Sequence, residues 1–556
     1  MSRLIVALAV ITQMLSFAQE RSQARSMVIN QGGIVATSHV LASQAGAEVL
    51  ARGGSAIDAA IAANAVLQVV EPMSNGMGGD LFALYRDAKS GRLTGINASG
   101  WAPEKLSVAH VRGKGNQEMP ATGIDTVTVP GCVDGWARLH ARFGRLKWAD
   151  LFEPAIWYSR HGFPVTEIVA EYWANATPKL SADENARGVF LPDGAAPRLG
   201  QVFRNPQLAR AFELVARGGR DAFYKGEIAR AILETSERLG GVMQASDLAA
   251  FESEWVDPLA VEYRGWKVYE LPPNGQGIAA LEMLNIMRRL PIWKPDVDAF
   301  HIKIEAQKLA YADLLRYIGD PRFSKMPVEG LLSDEYAAER ASKIDMGRAS
   351  CDVPPGTPPE GPGDTVYFAV VDRDGNIASV IQSLYEAFGS GIAVKGMGFH
   401  LQNRGALFTL EEGHPNALAP RKRPFHTIIP ALMEKGGLHI GFGIMGGFNQ
   451  AQAHAQFVSN VADHEMNIQA ALEAPRFTKL TFGGCDVRIE ARVPVNVREA
   501  LKMRGHELEV LGDYSGEVGG GQAVMYDSAT KVKYGASDPR KDGAAVPEAA
   551  PYFRQR

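Results

Sequence analysis

The spacing of apolar positions changes along the chain, and each change predicts an element. Leu4–Leu15 is mostly apolar, interrupted at Thr12 and Gln13; it follows the basic start Met1-Ser2-Arg3 and precedes Ser16-Phe17-Ala18 and the polar Gln19-Glu20-Arg21. A basic start, a short apolar run and a small-x-small exit predict a secretory signal peptide over residues 1–18, too short to cross a bilayer as a helix. Gly32–Thr37 predicts a strand, and Ser43–Arg52 a helix stopped by Gly53-Gly54. Ala56–Val70 is apolar on nearly every face, with Asp58 near its start, which predicts a buried helix. The glycine-rich loop Glu71–Asp80 leads to a strand at Leu81–Tyr85.

Residues from about 135 to 345 read mainly as helices, amphipathic at Pro206–Ala216, Glu227–Leu239 and Ala299–Leu315. Cys351–Gly363 then holds five prolines and three glycines, which excludes helix and central strand and predicts an exposed linker open to a chain break. Beyond it the pattern alternates: strand Thr365–Val371, hairpin turn Asp372–Gly375, returning strand Ile377–Leu384. A strand at Leu438–Phe442, a helix at about Gln450–Val461 and a strand pair at Gly521–Tyr526 and Val532–Gly535 follow. Helices first and paired strands later predict stacked helix and sheet layers, without an internal repeat.

Composition narrows the function classes. With 556 residues, 46% of them hydrophobic, the chain can bury a large core, and at about 150 residues per domain it has room for three or four. A net charge of -4 gives no electrostatic reason to expect nucleic acid or an anionic membrane as partner, and no further apolar run reaches the roughly 20 residues of a membrane span. Cys132, Cys351 and Cys485 are odd in number and far apart, which predicts buried or incidental thiols, neither a disulfide framework nor a metal site. No His/Cys/Asp cluster has ligand spacing, so no metal and no cofactor is expected.

Thr365 stands at the head of a strand, after a Pro/Gly linker and an acid, Asp364. Alone, that is an ordinary strand threonine. Its surroundings include Gly53-Gly-Ser-Ala-Ile-Asp58, Glu71-Pro-Met-Ser-Asn-Gly-Met-Gly-Gly-Asp80, Val129-Pro-Gly131 and Asp364-Thr-Val-Tyr-Phe-Ala-Val-Val-Asp372-Arg-Asp-Gly375. Further on come Phe388-Gly-Ser-Gly391, Lys422-Arg-Pro424, Met445-Gly-Gly447, Glu473-Ala-Pro-Arg-Phe477 and Gly535-Ala-Ser-Asp-Pro-Arg540. With these motifs the chain resembles, from about Gly32 to Ala545, the γ-glutamyltransferase (glutathione hydrolase) family of N-terminal nucleophile hydrolases.

The resemblance implies an α+β fold, the four-layer αββα sandwich, made from one self-cleaved precursor: residues 19–364 as large subunit and 365–556 as small subunit. It implies that Thr365 attacks the Asp364 carbonyl, frees itself as a new N-terminus, and then cleaves a small-molecule amide through an ester. A free N-terminal threonine carries its own base, an α-amine of pKa about 7.7–8.0. Ser383, eighteen residues on, falls at the family's second hydroxyl, which would orient the nucleophile. Gly446 and Gly447 fall at its oxyanion site, where two backbone N–H groups would stabilise developing charge. Gly441-Phe-Gly443-Ile-Met-Gly446 also spells a dinucleotide-binding G-x-G-x-x-G, but no second parallel strand ending in an acid follows.

The sequence departs from the family where the γ-glutamyl head group is held. The arginine that takes the α-carboxylate falls on Ser99 and the acid that takes the α-amine on Leu407; the asparagine after the second hydroxyl is Tyr385, followed by Glu386, and the serine pair after Arg-Pro is His426-Thr427. An α-amino acid head group needs a cation and an anion, and the usual pair is gone. Arg404 and His426 are new polar groups in the same neighbourhood, so Tyr385, Glu386, Arg404, His426 and Thr427 are the candidate substrate-binding residues. The set resembles the oxamate amidohydrolase and acylase-like branch. The expectation is therefore a processed amidohydrolase acting on a γ-glutamyl group or, alternatively, on another small acyl amide such as oxamate or a glutaryl amide. A non-catalytic, unprocessed relative is the competing class. The leader implies export to the periplasm or medium, with a cytoplasmic location as the alternative.

Overall fold

Side-chain alternation along the strand Asp364–Val371 shows how the layers arise. Val366, Phe368 and Val370 enter one hydrophobic cluster, while Tyr367, Ala369 and Val371 enter another. Opposite faces of one strand thus serve two cores. The computed structural model describes residues 23–353 and 364–551, with backbone alone for Asp364 and Thr365; the expected signal peptide and most of the proline-rich linker lie outside these.

The strands of the two central sheets are β1 (Val28–Asn30), β2 (Ile34–Thr37), β3 (Asp80–Arg86), β4 (Leu93–Ala98), β5 (Glu254–Val256), β6 (Leu259–Tyr263) and β7 (Trp266–Glu270). They continue with β8 (Asp364–Val371), β9 (Ile377–Tyr385), β10 (Ala431–Lys435), β11 (Leu438–Ile444), β12 (Gly521–Asp527), β13 (Lys533–Ser537) and β14 (Ala544–Pro547). One seven-stranded sheet runs β14-β2-β8-β9-β3-β4-β5 and the other β1-β13-β12-β11-β10-β7-β6. Every pairing in both is antiparallel.

Between the sheets lies a hydrophobic layer of Phe82, Tyr367, Ile381, Leu432, Val524 and their neighbours. Helices α1 (Val40–Ala51) and α2 (Ala56–Val70) cover the outer face of the first sheet. Helices α3 (Gly277–Met287), α4 (Val297–Tyr317) and α5 (Asn449–Ala462) cover the second. This is the αββα sandwich the sequence implied. All fifteen residues of α2 are buried, as its apolar faces required, and Ser55 and Asp58 close a reciprocal capping box at its start.

The structure departs from the sequence expectation in two places. First, β5–β7 interrupt the stretch that reads mainly as helix. Their hairpin turns at Arg264-Gly265, both with positive φ (51° and 81°), a turn geometry that Asn-Gly usually announces and Arg-Gly does not. Second, Cys351 and Cys485 form a disulfide, with Cα atoms 4.8 Å apart and a separation of 134 positions in the chain. Sequence distance carried no information about that approach, which the fold makes by bonding the Gly484 amide to the Cys351 carbonyl. Cys132 is a buried free thiol, as expected. Among the described residues no helix is long and apolar enough to cross a membrane.

Candidate active site

Thr365 enters the site at the irregular start of β8. Asp364 pairs with Tyr385 and Val366 with Gln382, so between them Thr365 alone faces Ser383 and Leu384 on β9. Such a bulge re-aims a strand end. On the other side of β9, Ser383 pairs with Asp80 at the head of β3. The glycine-rich loop before β3 makes this contact possible: a Cβ on Gly79 would stand 2.3 Å from the Ser383 carbonyl oxygen, and one on Gly78 2.1 Å from that of His400. Only glycine permits both approaches. Gln382 fastens the loop, accepting from the Gly76 amide at 3.1 Å and donating to its carbonyl at 2.8 Å.

Ser383 is fully buried, and its Oγ accepts from the Tyr385 amide at 2.7 Å and from Arg404 Nη2 at 3.1 Å. A hydroxyl has two acceptor positions and one proton. With both acceptor positions filled, Ser383 is left as a hydrogen-bond donor. Tyr385 holds φ at +83°, a strained left-handed conformation for a bulky residue, and strain of this kind concentrates at functional sites.

Arg404 has no exposed surface. Nη1 donates to Thr427 Oγ1 at 2.7 Å, the guanidinium lies 4.6 Å over the Tyr385 ring, and Nε has no partner among the described residues. Its pKa is lowered to about 10, first by burial, so it remains a cation at neutral pH. His426 is also buried; its Nε2 lies 2.9 Å from Asp80 Oδ2 and its Nδ1 accepts from the Ile428 amide at 3.4 Å. Burial, then the Arg404 charge, lowers its pKa to about 3, so His426 is neutral and donates to Asp80. Asp80 Oδ1 accepts from Gln402 Nε2 and from the Gly100 amide, both at 2.9 Å. Glu386 makes no side-chain hydrogen bond to this network and pairs with Lys179 at 3.0 Å, though its charge still acts on Arg404 and Tyr385.

Gly446 (φ +118°) and Gly447 (φ +57°) turn the chain from β11 into α5. Their amides donate to no described acceptor, while the carbonyls around them are all held. Met445 O accepts from Asn449 Nδ2, Gly446 O from the Asn449 amide, Gly447 O from Gln276 Nε2 at 2.8 Å, and Phe448 O from the Tyr311 hydroxyl. The two N–H groups, with no described acceptor, stand at the positive end of a fourteen-residue helix. That arrangement suits an anionic oxygen.

The structure therefore brings Ser383, Tyr385, Arg404, His426 and Thr427 into one network beside the Thr365 backbone. Asp80, Gln276 and Gln402 also belong to the neighbourhood, though sequence reasoning gave none of them a role. Asp80 ended a quoted motif; Gln276 had no local signal at all. Ser99 and Leu407, in the positions of the head-group anchors, are both buried, and the Ser99 hydroxyl is occupied by Asn97 at 2.7 Å. Outside this network His301, Glu305 and His506 gather potential metal donors within 4.8 Å of one another. The two histidines hydrogen-bond each other at 2.8 Å, and Lys308 occupies Glu305 at 2.7 Å, the bonding of a polar core.

Known proteins share this architecture and most of the chain. A model of the gamma-glutamyltranspeptidase family matches residues 42–548. The chain is 38% identical to the glutathione hydrolase-like YwrD proenzyme of Bacillus subtilis, over 93% of this chain and 99% of that one. It is 35% identical to the oxamate amidohydrolase proenzyme of Klebsiella pneumoniae, again over 93% and 99%. The crystal structure of cephalosporin acylase from Bacillus halodurans superposes with a TM-score of 0.89 at 43% identity, covering 95% of this chain and 97% of that one.

Proposed function

The chain belongs to the gamma-glutamyltranspeptidase family and is a self-processing amidohydrolase; within that class, we propose that Thr365 is its nucleophile and that its acyl substrate is a small acid lacking a free α-amine. In the first reaction Thr365 Oγ attacks the Asp364 carbonyl, the amide becomes an ester, and water cleaves the ester to leave an Asp364 carboxylate and a free Thr365 amine. In the second, that amine takes the Oγ proton as Oγ attacks the substrate carbonyl. The Gly446 and Gly447 amides receive the oxyanion, the amine half leaves with a proton, and water hydrolyses the acyl ester. Ser383, a donor by its own hydrogen bonds, orients Oγ and leaves the role of base to the α-amine.

The observation that carries the substrate reading is the buried charge of Arg404, which hydrogen-bonds hydroxyls and no described carboxylate, with Asp80 and Glu386 acting on it without direct contact. A buried cation of this kind favours an anionic ligand. The nearby described carboxylates are engaged, Asp80 by Gln402, Gly100 and His426 and Glu386 by Lys179, so none of them is set to receive an ammonium. The name of the oxamate amidohydrolase fits such a pocket. The similarity to a glutathione hydrolase-like protein favours the γ-glutamyl reading instead.

A panel of γ-glutamyl anilide, glutathione, oxamate and a glutaryl amide decides between them. We expect higher kcat/KM for an acyl group without the α-amine; preference for the γ-glutamyl anilide over its glutaryl counterpart would overturn the substrate reading. Thr365→Ala should remain an uncut, inactive precursor, and normal cleavage in that variant would exclude the nucleophile. Export is the location we propose, supported by the leader at residues 1–18 and by a disulfide, which persists in oxidising compartments.

A further inference from the structure

The two sulfurs of the Cys351–Cys485 disulfide stand in different surroundings. Cys351 is exposed, and the residue after it is an exposed acid, Asp352. Cys485 is only 2% exposed, and its Sγ accepts from Lys308 Nζ on α4 at 3.7 Å. Two further bonds hold that ammonium in place, to Glu305 Oε1 at 2.7 Å and to the Ser350 carbonyl at 2.8 Å. Glu305 in turn accepts from the Ser350 amide at 3.1 Å, so lysine, acid and main chain lock one another beside the sulfur. Lys479, a second buried ammonium, bonds the carbonyls of Gly483 and Asp486, on either side of Cys485.

Thiol–disulfide exchange is a displacement at sulfur: the attacker bonds one sulfur and the electron pair departs on the other. Its rate follows access to the attacked sulfur and the stability of the departing thiolate. Both favour one direction here. We propose that Cys351 is a site of covalent attachment for small thiols, with Cys485 as the leaving sulfur and Lys308 as the group that stabilises it. A thiolate bonds Cys351 Sγ, the Cys351–Cys485 bond breaks, and its electron pair stays on Cys485 Sγ, beside the ammonium. One disulfide replaces another, so the thiol is the sole co-reactant. The opposite attack would have to reach a buried sulfur and would leave the charge on Cys351, next to Asp352. Burial by itself would make Cys485 a poor leaving group, and a cation at the sulfur reverses that penalty. The adduct forms on the large-subunit side of the Asp364–Thr365 bond, so in a cut chain the exchange also unties the two halves.

2-Mercaptoethanol, a neutral thiol that cannot close a ring on itself, leaves a mixed disulfide that peptide mass spectrometry can place. The full chain is exposed to it briefly and then quenched with N-ethylmaleimide. Mercaptoethanol on Cys351 with maleimide on Cys485 should exceed the reverse pattern by roughly tenfold or more. Lys308→Met should slow the exchange roughly tenfold, and Lys308→Arg, which keeps a charged donor, should retain most of the rate. A purely structural role for Lys308 moves the rate the other way, because loosened packing exposes the bond and speeds its exchange. Adducts shared equally, adducts mainly on Cys485, no adduct on either sulfur, or an unslowed Lys308→Met would each overturn the proposal. If the variants fail to fold, the adduct pattern in the unaltered protein decides alone.

Discussion

Arg404 keeps its charge although fully buried, and the groups it hydrogen-bonds are hydroxyls. It does two things at once: it favours an anion nearby, and by filling an acceptor position on Ser383 it fixes which way that hydroxyl points. Gln276 plays a comparable part. Its amide nitrogen bonds the carbonyls of Thr427 and Gly447, joining the Arg404 network to the Gly446-Gly447 turn proposed to hold the oxyanion. Gln276→Leu should lower kcat by about 10- to 100-fold, somewhat less than losing an oxyanion donor outright, with little change in KM. Steady-state kinetics on fully matured protein check this; a variant that lost thermal stability alone would show Gln276 to be a packing residue. Thr365 and the glycine pair were candidates in the sequence because each sits in a contiguous motif, and Ser383 because it lies eighteen residues beyond Thr365. Gln276 was not, because the carbonyl it orients is 171 residues away.

At the scale of elements, the site depends on how closely the backbone of the Glu71–Asp80 loop approaches β9. Gly79→Ala would press a methyl group to 2.3 Å from a main-chain oxygen that cannot rotate away. The variant should lose about 1–3 kcal/mol of stability and mature slowly, because the displaced residue is Ser383 itself. Thermal unfolding and the fraction of uncut chain over time measure both effects. Element types were legible where a period was sustained: α2 and β8–β9 stand where the pattern put them. Boundaries shifted where a side chain set them, as when His39 caps α1 through Nδ1 and starts it at Val40, ahead of Ser43. The strands β5–β7 escaped notice because each is short and sits among long amphipathic helices, so its alternation spans too few residues to stand out.

At the scale of the whole molecule, burial has made histidine an acid-sensitive component of the core. His400, His426 and His454 are all fully buried with pKa values lowered to about 3, burial being the first cause in each. The unfolded chain takes up these protons near pH 6.5, and the folded one only near pH 3. Between those values the unfolded state binds more protons, so stability is complete above about pH 6.5 and falls as the pH drops. The slope is at most about 1.4 kcal/mol per histidine per pH unit. The melting temperature should therefore decline steadily from pH 7 to pH 4.5; a flat profile would mean that these side chains are protonated in the folded protein.

The Cys351–Cys485 disulfide has a consequence for molecularity. A break at Asp364–Thr365 would ordinarily turn one chain into two, whose reassociation after unfolding depends on their concentration. Here one half-cystine lies on each side of that break, so the cut chain stays a single covalent molecule and its ends remain at a fixed effective concentration. Refolding stays first order, and the unfolded state keeps a cross-link that limits its entropy. Maturation also becomes invisible to a denaturing gel run without reductant: the uncut and cut forms share one mass but for a water, and two fragments separate only when the disulfide is reduced.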